Sequence, residues 1–99
     1  MPPYRYHVKT TQTADNQLLD LLVNLPALRN AITRASNDID HVLGMGPPNQ
    51  GRLRPQPGYP TRREILINPL LVTFDYAPNG VEIVVTEMKL DPRPLHGVP

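Results

Sequence analysis

Arg62-Arg63-Glu64-Ile65-Leu66-Ile67-Asn68-Pro69-Leu70-Leu71-Val72-Thr73-Phe74-Asp75-Tyr76-Ala77-Pro78-Asn79-Gly80-Val81-Glu82-Ile83-Val84-Val85-Thr86-Glu87-Met88-Lys89-Leu90 reads as three strands joined by two turns. The first strand spans Arg62 to Ile67, and Asn68-Pro69 marks a turn after it. Leu70, Val72, Phe74 and Tyr76 then alternate with Leu71, Thr73 and Asp75, the period of two that a strand imposes. Ala77-Pro78-Asn79-Gly80 predicts a tight hairpin turn, with Pro78 pre-setting one φ and Asn-Gly tolerating positive φ. In the return strand Val81, Ile83 and Val85, and then Val84, Met88 and Leu90, place apolar groups on both faces, which predicts a central strand.

Upstream, two helices are legible. Ala14, Leu18, Leu21, Leu22 and Leu25 form one stripe of a 3.6-residue period, with Thr10, Thr11 and Thr13 as cap candidates. Pro26 stops this helix by Leu25 and can open the next. Leu28, Ala31, Ile32, Ala35, Ile39, Val42 and Leu43 hold one face of the second helix, with Gly44 expected as its C-cap. So short a connection predicts an antiparallel α-hairpin whose stripes are covered by the sheet. Before it, Tyr4, Tyr6 and Val8 alternate with Arg5, His7 and Lys9, a short strand whose basic or imidazole face suits an exposed face or an edge.

Residues 45–60 contain five prolines and three glycines and read as a loop, with Arg52-Leu53-Arg54 a possible short strand inside it. Residues 91–99 read as an extended or flexible tail. The 99 residues therefore predict a single α+β domain: an N-terminal strand and an antiparallel α-hairpin packed on a twisted antiparallel sheet of three to five strands.

Charge is the main functional lead. Arg52, Arg54, Arg62 and Arg63 fall within twelve residues that contain no acid, while the whole chain carries only +1. Any anion binding must therefore be local, because the net charge rules out a uniformly basic nucleic-acid coat. The plainer reading is that arginines in a proline-rich surface loop only keep the surface soluble. Alternation along a strand sends Arg62 and Arg63 to opposite faces, so a site takes at most one of them, together with one or both of Arg52 and Arg54, with Lys89 as a further candidate.

Other chemistries are poorly served. There is no cysteine, which removes disulfides and thiolate chemistry. His7, His41 and His96 are too scattered for a metal site, and no cofactor motif is present. Asp38 and Asp40 do not face each other on a helix. Gly44-Met45-Gly46 follows a helix rather than leading into one and lacks Gly-Lys-Ser/Thr, so it is no phosphate loop. Pro55-Gln56-Pro57 reads as a stiff loop before it reads as a polyproline ligand. No apolar run approaches the ~20 residues of a membrane span, and no secretory signal is legible, so the expected setting is cytoplasmic.

The element order, together with Arg62-Arg63-Glu64-Ile65, Asn68-Pro69-Leu70-Leu71-Val72-Thr73-Phe74, the Asn79-Gly80 turn and Val81-Glu82-Ile83-Val84-Val85, resembles the RelE/ParE superfamily of bacterial toxins. The resemblance covers Tyr4 to about Leu90. It implies a type II toxin acting on translation, by ribosome-dependent mRNA cleavage, or on DNA gyrase, and a cognate antitoxin that silences it by wrapping the sheet. It further implies that Arg52, Arg54, Arg62, Arg63 and Lys89 bind the anion, with Arg54, Arg62 and Lys89 as the catalytic candidates. The chain departs from an active pattern in proton transfer. Arginine stays protonated and makes a poor base, Lys89 is the only lysine of the C-terminal half, and the sole imidazole there is His96. The alternative is a non-catalytic binding module on the same scaffold, and whether the chain is an enzyme stays open at this point. So does its oligomeric state.

Overall fold

A computed structural model describes residues 4–92. It is an α+β fold with strands β1 (His7–Thr10), β2 (Arg52–Leu53), β3 (Arg63–Ile67), β4 (Leu70–Tyr76) and β5 (Glu82–Leu90) and helices α1 (Gln12–Asn24) and α2 (Arg29–Met45). The five strands form one sheet in the order β1-β5-β4-β3-β2. β2, β3, β4 and β5 are antiparallel in sequence, but β1 joins β5 in parallel, so the sheet is not antiparallel throughout. The cause is chain path. The α-hairpin delivers the chain to β2 antiparallel to β1, and the three further reversals through β3 and β4 bring β5 back parallel to it.

Both helices cover one face of the sheet. Ala14, Ile32, Ala35, Ile39 and Leu43 meet Leu70, Val72, Phe74, Ile83, Val85 and Met88 in a core where Phe74 is the largest fully buried side chain. Thr11 caps α1, its Oγ1 accepting from the Ala14 N–H at 3.1 Å. Pro26 opens a single 3-10 turn, Pro26–Leu28, before α2 begins. The expected C-cap at Gly44 is displaced: α2 runs to Met45 and Gly46 caps it. Gly44 is instead a packing position, because the Arg5 and Tyr6 N–H groups donate to its carbonyl and an added Cβ would fall 2.7 Å from the Tyr4 ring. That contact docks the N-terminal segment, leaving Tyr4 and Tyr6 outside β1, with Tyr6 in the core. In the β4–β5 turn only Gly80 takes positive φ, at 75°, while Asn79 accepts the Val81 and Glu82 N–H groups through Oδ1.

β5 corrects a second expectation. Its apolar residues do not divide between two faces in the way that simple alternation implies. Thr73 pairs with Glu87 and Phe74 with Val85, so Thr86 is an extra residue, a β-bulge. Before the bulge the core-facing residues are the odd-numbered Ile83 and Val85; after it Met88 is the buried one, at an even number. The bulge thereby turns Lys89 outward, opposite Leu71. The Thr86 hydroxyl donates to the Thr73 carbonyl at 3.4 Å, and beyond the end of β1 the Met88 N–H donates to Gln17 Oε1 at 2.7 Å. Among the described residues no helix is long and apolar enough to cross a membrane. The tail from residue 93 onward, with His96, lies outside the described residues.

Deleting Thr86 removes the extra residue, so that strict alternation itself keeps Ile83, Val85 and Met88 toward the core and Lys89 outward. The deletion variant is expected to keep its cooperative thermal transition. Thr86→Ala, which removes only the long Thr73 bond, is expected to cost about 1 kcal/mol or less. Calorimetry of both variants checks the pair.

Candidate anion-binding face

The sheet has a second face that no helix covers. Cross-strand partners point to the same side, so the register assigns its residues row by row. One row runs Arg52, Glu64, Thr73 and Glu87; the next runs Leu66, Leu71 and Lys89. Arg54 lies on the same side, two residues beyond Arg52, with Arg62 facing it across the strands: the Arg54 N–H donates to the Arg62 carbonyl at 2.8 Å. Arg62 in turn lies beside Asp75. A groove of about 310 Å³ opens on this face, with Arg52, Arg54 and Glu64 on one wall, Leu66 and Leu71 as floor, and Lys89 and Asp91 opposite.

Three of the five expected anion-binding residues, Arg52, Arg54 and Lys89, are thus brought together. Arg52 and Lys89 make no hydrogen bond or ion pair to a described residue. Arg54 stands 3.6 Å from the Glu64 carboxylate, with its own side chain about half exposed and Glu64 largely covered. A single contact of this length from a half-exposed guanidinium is loose, which leaves Arg54 able to turn to a competing anion.

Arg62 shares the face but is fully engaged. Its Nε and Nη2 grip Asp75, at 3.0 and 2.6 Å for the shortest contacts, and its Nη1 donates to Gln56 Oε1 at 2.9 Å. The Tyr59 ring lies over the guanidinium, 3.8 Å from Cζ to the ring centroid. Hydrogen bonding to Asp75 raises its pKa above even the usual arginine value. Such a group is poorly placed to clamp a phosphate or move a proton.

Arg63 points the other way. It donates to three carbonyls of the loop, those of Gln50 at 2.7 Å, Asn49 at 2.9 Å and Gly51 at 3.3 Å. Gln50, itself buried, donates through Nε2 to the Leu43 carbonyl at 2.9 Å and so ties the same loop to the end of α2. Gly51 sits at φ 70°, where a Cβ would fall 2.6 Å from the Glu64 carbonyl. These contacts fix the approach of β2 to β3, and with it the position of Arg52.

The phenols divide in the same way. Tyr76 lies on the helix side, against Tyr6 and Phe74, and burial pushes its hydroxyl pKa up. His7 and Lys9 lie at the β1 edge of the sheet, beside the first half of β5 and away from Lys89, and Lys9 pairs with Glu82 at 2.8 Å. Among the described residues no group of three or more histidine, cysteine or carboxylate side chains could hold a metal ion.

Three residues of this face escape a count of basic residues: Glu64, Asp75 and Tyr59. Glu64 was readable, because alternation from Arg62 places it on the same face. Asp75 needed the β3–β4 register, and Tyr59 needed the loop conformation. No protein-family model matches the chain, and no curated protein matches it in sequence.

Arg63→Ala is expected to destabilise the protein by about 1–2 kcal/mol, because the partly buried Gln50 carbonyl loses its donor. Amide exchange should accelerate at Arg54 and Arg62 while the core of β4 stays protected. Arg63→Lys should recover little, since one ammonium cannot span three carbonyls in the guanidinium's planar geometry.

Proposed function

We propose that this protein is a RelE/ParE-like toxin of a type II toxin-antitoxin system that acts on translation by binding RNA across the open face of its sheet. The observation that carries the reading is the convergence of Arg52, Arg54 and Lys89 on one groove. Phosphates repeat along a strand, and several cations on a rigid surface answer that repeat with an affinity that falls as salt rises. The resemblance also admits DNA gyrase as the target. The free cations over an exposed floor favour a phosphate-bearing ligand. The partner that silences the protein would be a short antitoxin carrying carboxylates into this groove.

Cleavage by 2′-OH attack needs a base, a phosphate clamp and an acid. Within the groove Arg52 and Arg54 suit the clamp. The Lys89 ammonium can protonate the leaving 5′-oxygen, and the Glu64 carboxylate can accept the 2′-hydroxyl proton. The products would be a 2′,3′-cyclic phosphate and a 5′-hydroxyl. Arg62, held by Asp75, acts in this scheme by fixing the surface and not on the substrate. A second reading, a non-catalytic binding module, is favoured by one observation: the Glu64 carboxylate, opposite Arg52 in the register, is already paired with the Arg54 guanidinium.

Expression of the chain alone should arrest growth, and Arg52→Glu with Lys89→Glu should relieve the arrest. The same double variant should lower the magnitude of the salt slope of RNA binding by roughly 0.7 for each phosphate that is no longer neutralised. Glu64→Gln should abolish ribosome-dependent cleavage while preserving binding. Binding without cleavage in the wild type would select the non-catalytic reading, and normal growth with abundant soluble protein would contradict the toxin reading.

A further inference from the structure

Tyr59 is an exposed aromatic held in place more firmly than its loop position requires. Gln56 and Tyr59 exchange two backbone hydrogen bonds, at 3.1 and 2.7 Å, which close the loop as a tight turn and not as an extended polyproline segment. The Arg62 N–H donates to the Tyr59 carbonyl at 3.3 Å. One face of the ring lies on the Arg62 guanidinium, which Asp75 and Gln56 lock in plane. The residue nevertheless remains 51% exposed. A cation satisfied on its edge and covered on its face by an aromatic ring gives a rigid two-layer stack with the outer layer open to solvent.

The stack adjoins the groove. Arg62 and Arg54 are cross-strand neighbours, so the ring stands beside the phosphate-facing cations. A nucleobase presents a flat π-face of matching size, and stacking on an aromatic side chain is tolerant of sequence because every base has such a face. Bases inside a duplex already stack on each other and cannot offer that face.

The geometry points to Tyr59 as a stacking platform for one unpaired nucleobase, which makes single-stranded nucleic acid the ligand class of this face. The inference rests on the reading of the groove as a nucleic-acid site and adds a determinant that charge cannot supply. Cations alone bind paired and unpaired strands alike, whereas the platform distinguishes them. Tyrosine suits this role because few of its torsions must be frozen on binding.

The test uses the full chain and a uridine-rich RNA carrying a single 2-aminopurine, alone and annealed to its complement. Stacking on the ring quenches the probe. Tyr59→Ala and Tyr59→Leu should weaken single-strand binding by about tenfold or more and remove the quench, while duplex affinity does not fall. Tyr59→Phe should behave as wild type. Removing the ring uncovers the Arg62 cation, which by charge alone would raise affinity, so a loss cannot be an electrostatic side effect. Thermal melting shows whether each variant is folded. Wild-type binding by Tyr59→Ala or Tyr59→Leu, or a loss in Tyr59→Phe equal to that in Tyr59→Ala with normal melting, would overturn the platform. If Arg52→Glu or Lys89→Glu still weakens binding in that case, the reading of the groove survives. Absence of wild-type binding to both probes would overturn the groove reading and the platform together.

Discussion

One inserted residue decides which side chains of the last strand meet the core. β5 must fill a core above its first half and another part of the same core above its second half, yet its apolar positions change parity between Val85 and Met88. The bulge at Thr86 reconciles the two, because two residues oppose one on β4 and the alternation is reset. The same reset presents Lys89 to the side that no helix covers. Core packing and the cationic groove therefore share one cause: a strand that kept strict alternation would satisfy neither.

The second constraint is the parity of β3. Arg62 and Arg63 are adjacent, so one must face the open side and the other the helix side. The consequences differ sharply. Arg63 organises the loop by donating to three of its carbonyls, a role in which charge-assisted bonds to neutral acceptors replace water without requiring a buried counter-ion. Arg62 faces the open side but is neutralised by Asp75 and covered by Tyr59. The two arginines that looked most prominent in the chain thus build the surface. The residues left available, Arg52 and Lys89, come from opposite sides of the cationic groove, and Arg54 is held only by a loose contact to Glu64. Counting charges would have ranked them in the reverse order.

Most of the architecture was legible in the sequence because it rests on periodicity. The leucine and isoleucine stripes of α1 and α2, the Thr11 cap, the edge position of β1 and the hairpin around Gly80 all follow from local pattern. What escaped depends on contacts distant in sequence. The parallel pairing of β1 is set by the number of chain reversals between it and β5. The extension of α2 past Gly44 depends on Tyr4 docking at that glycine, and the bulge at Thr86 depends on register against β4. For the site, the opposition of Arg62 and Arg63 was readable, whereas the sequence left open whether both Arg52 and Arg54 and whether Lys89 share one side. The counter-charges were not readable, because Asp75 and Arg62 are thirteen residues apart and meet only across a strand pair.

On the proposed reading, ligand contact belongs on the open face. Chemical-shift mapping of the backbone and side-chain amides on titration with a single-stranded RNA tests this directly. The predicted result is a contiguous set of shifts at Arg52, Arg54, Glu64, Leu66, Leu71 and Lys89, with the α1 and α2 amides unmoved. Shifts confined to the helices, or to the cleft beside Tyr4 and Asp40 at the opposite edge of the sheet, would contradict it.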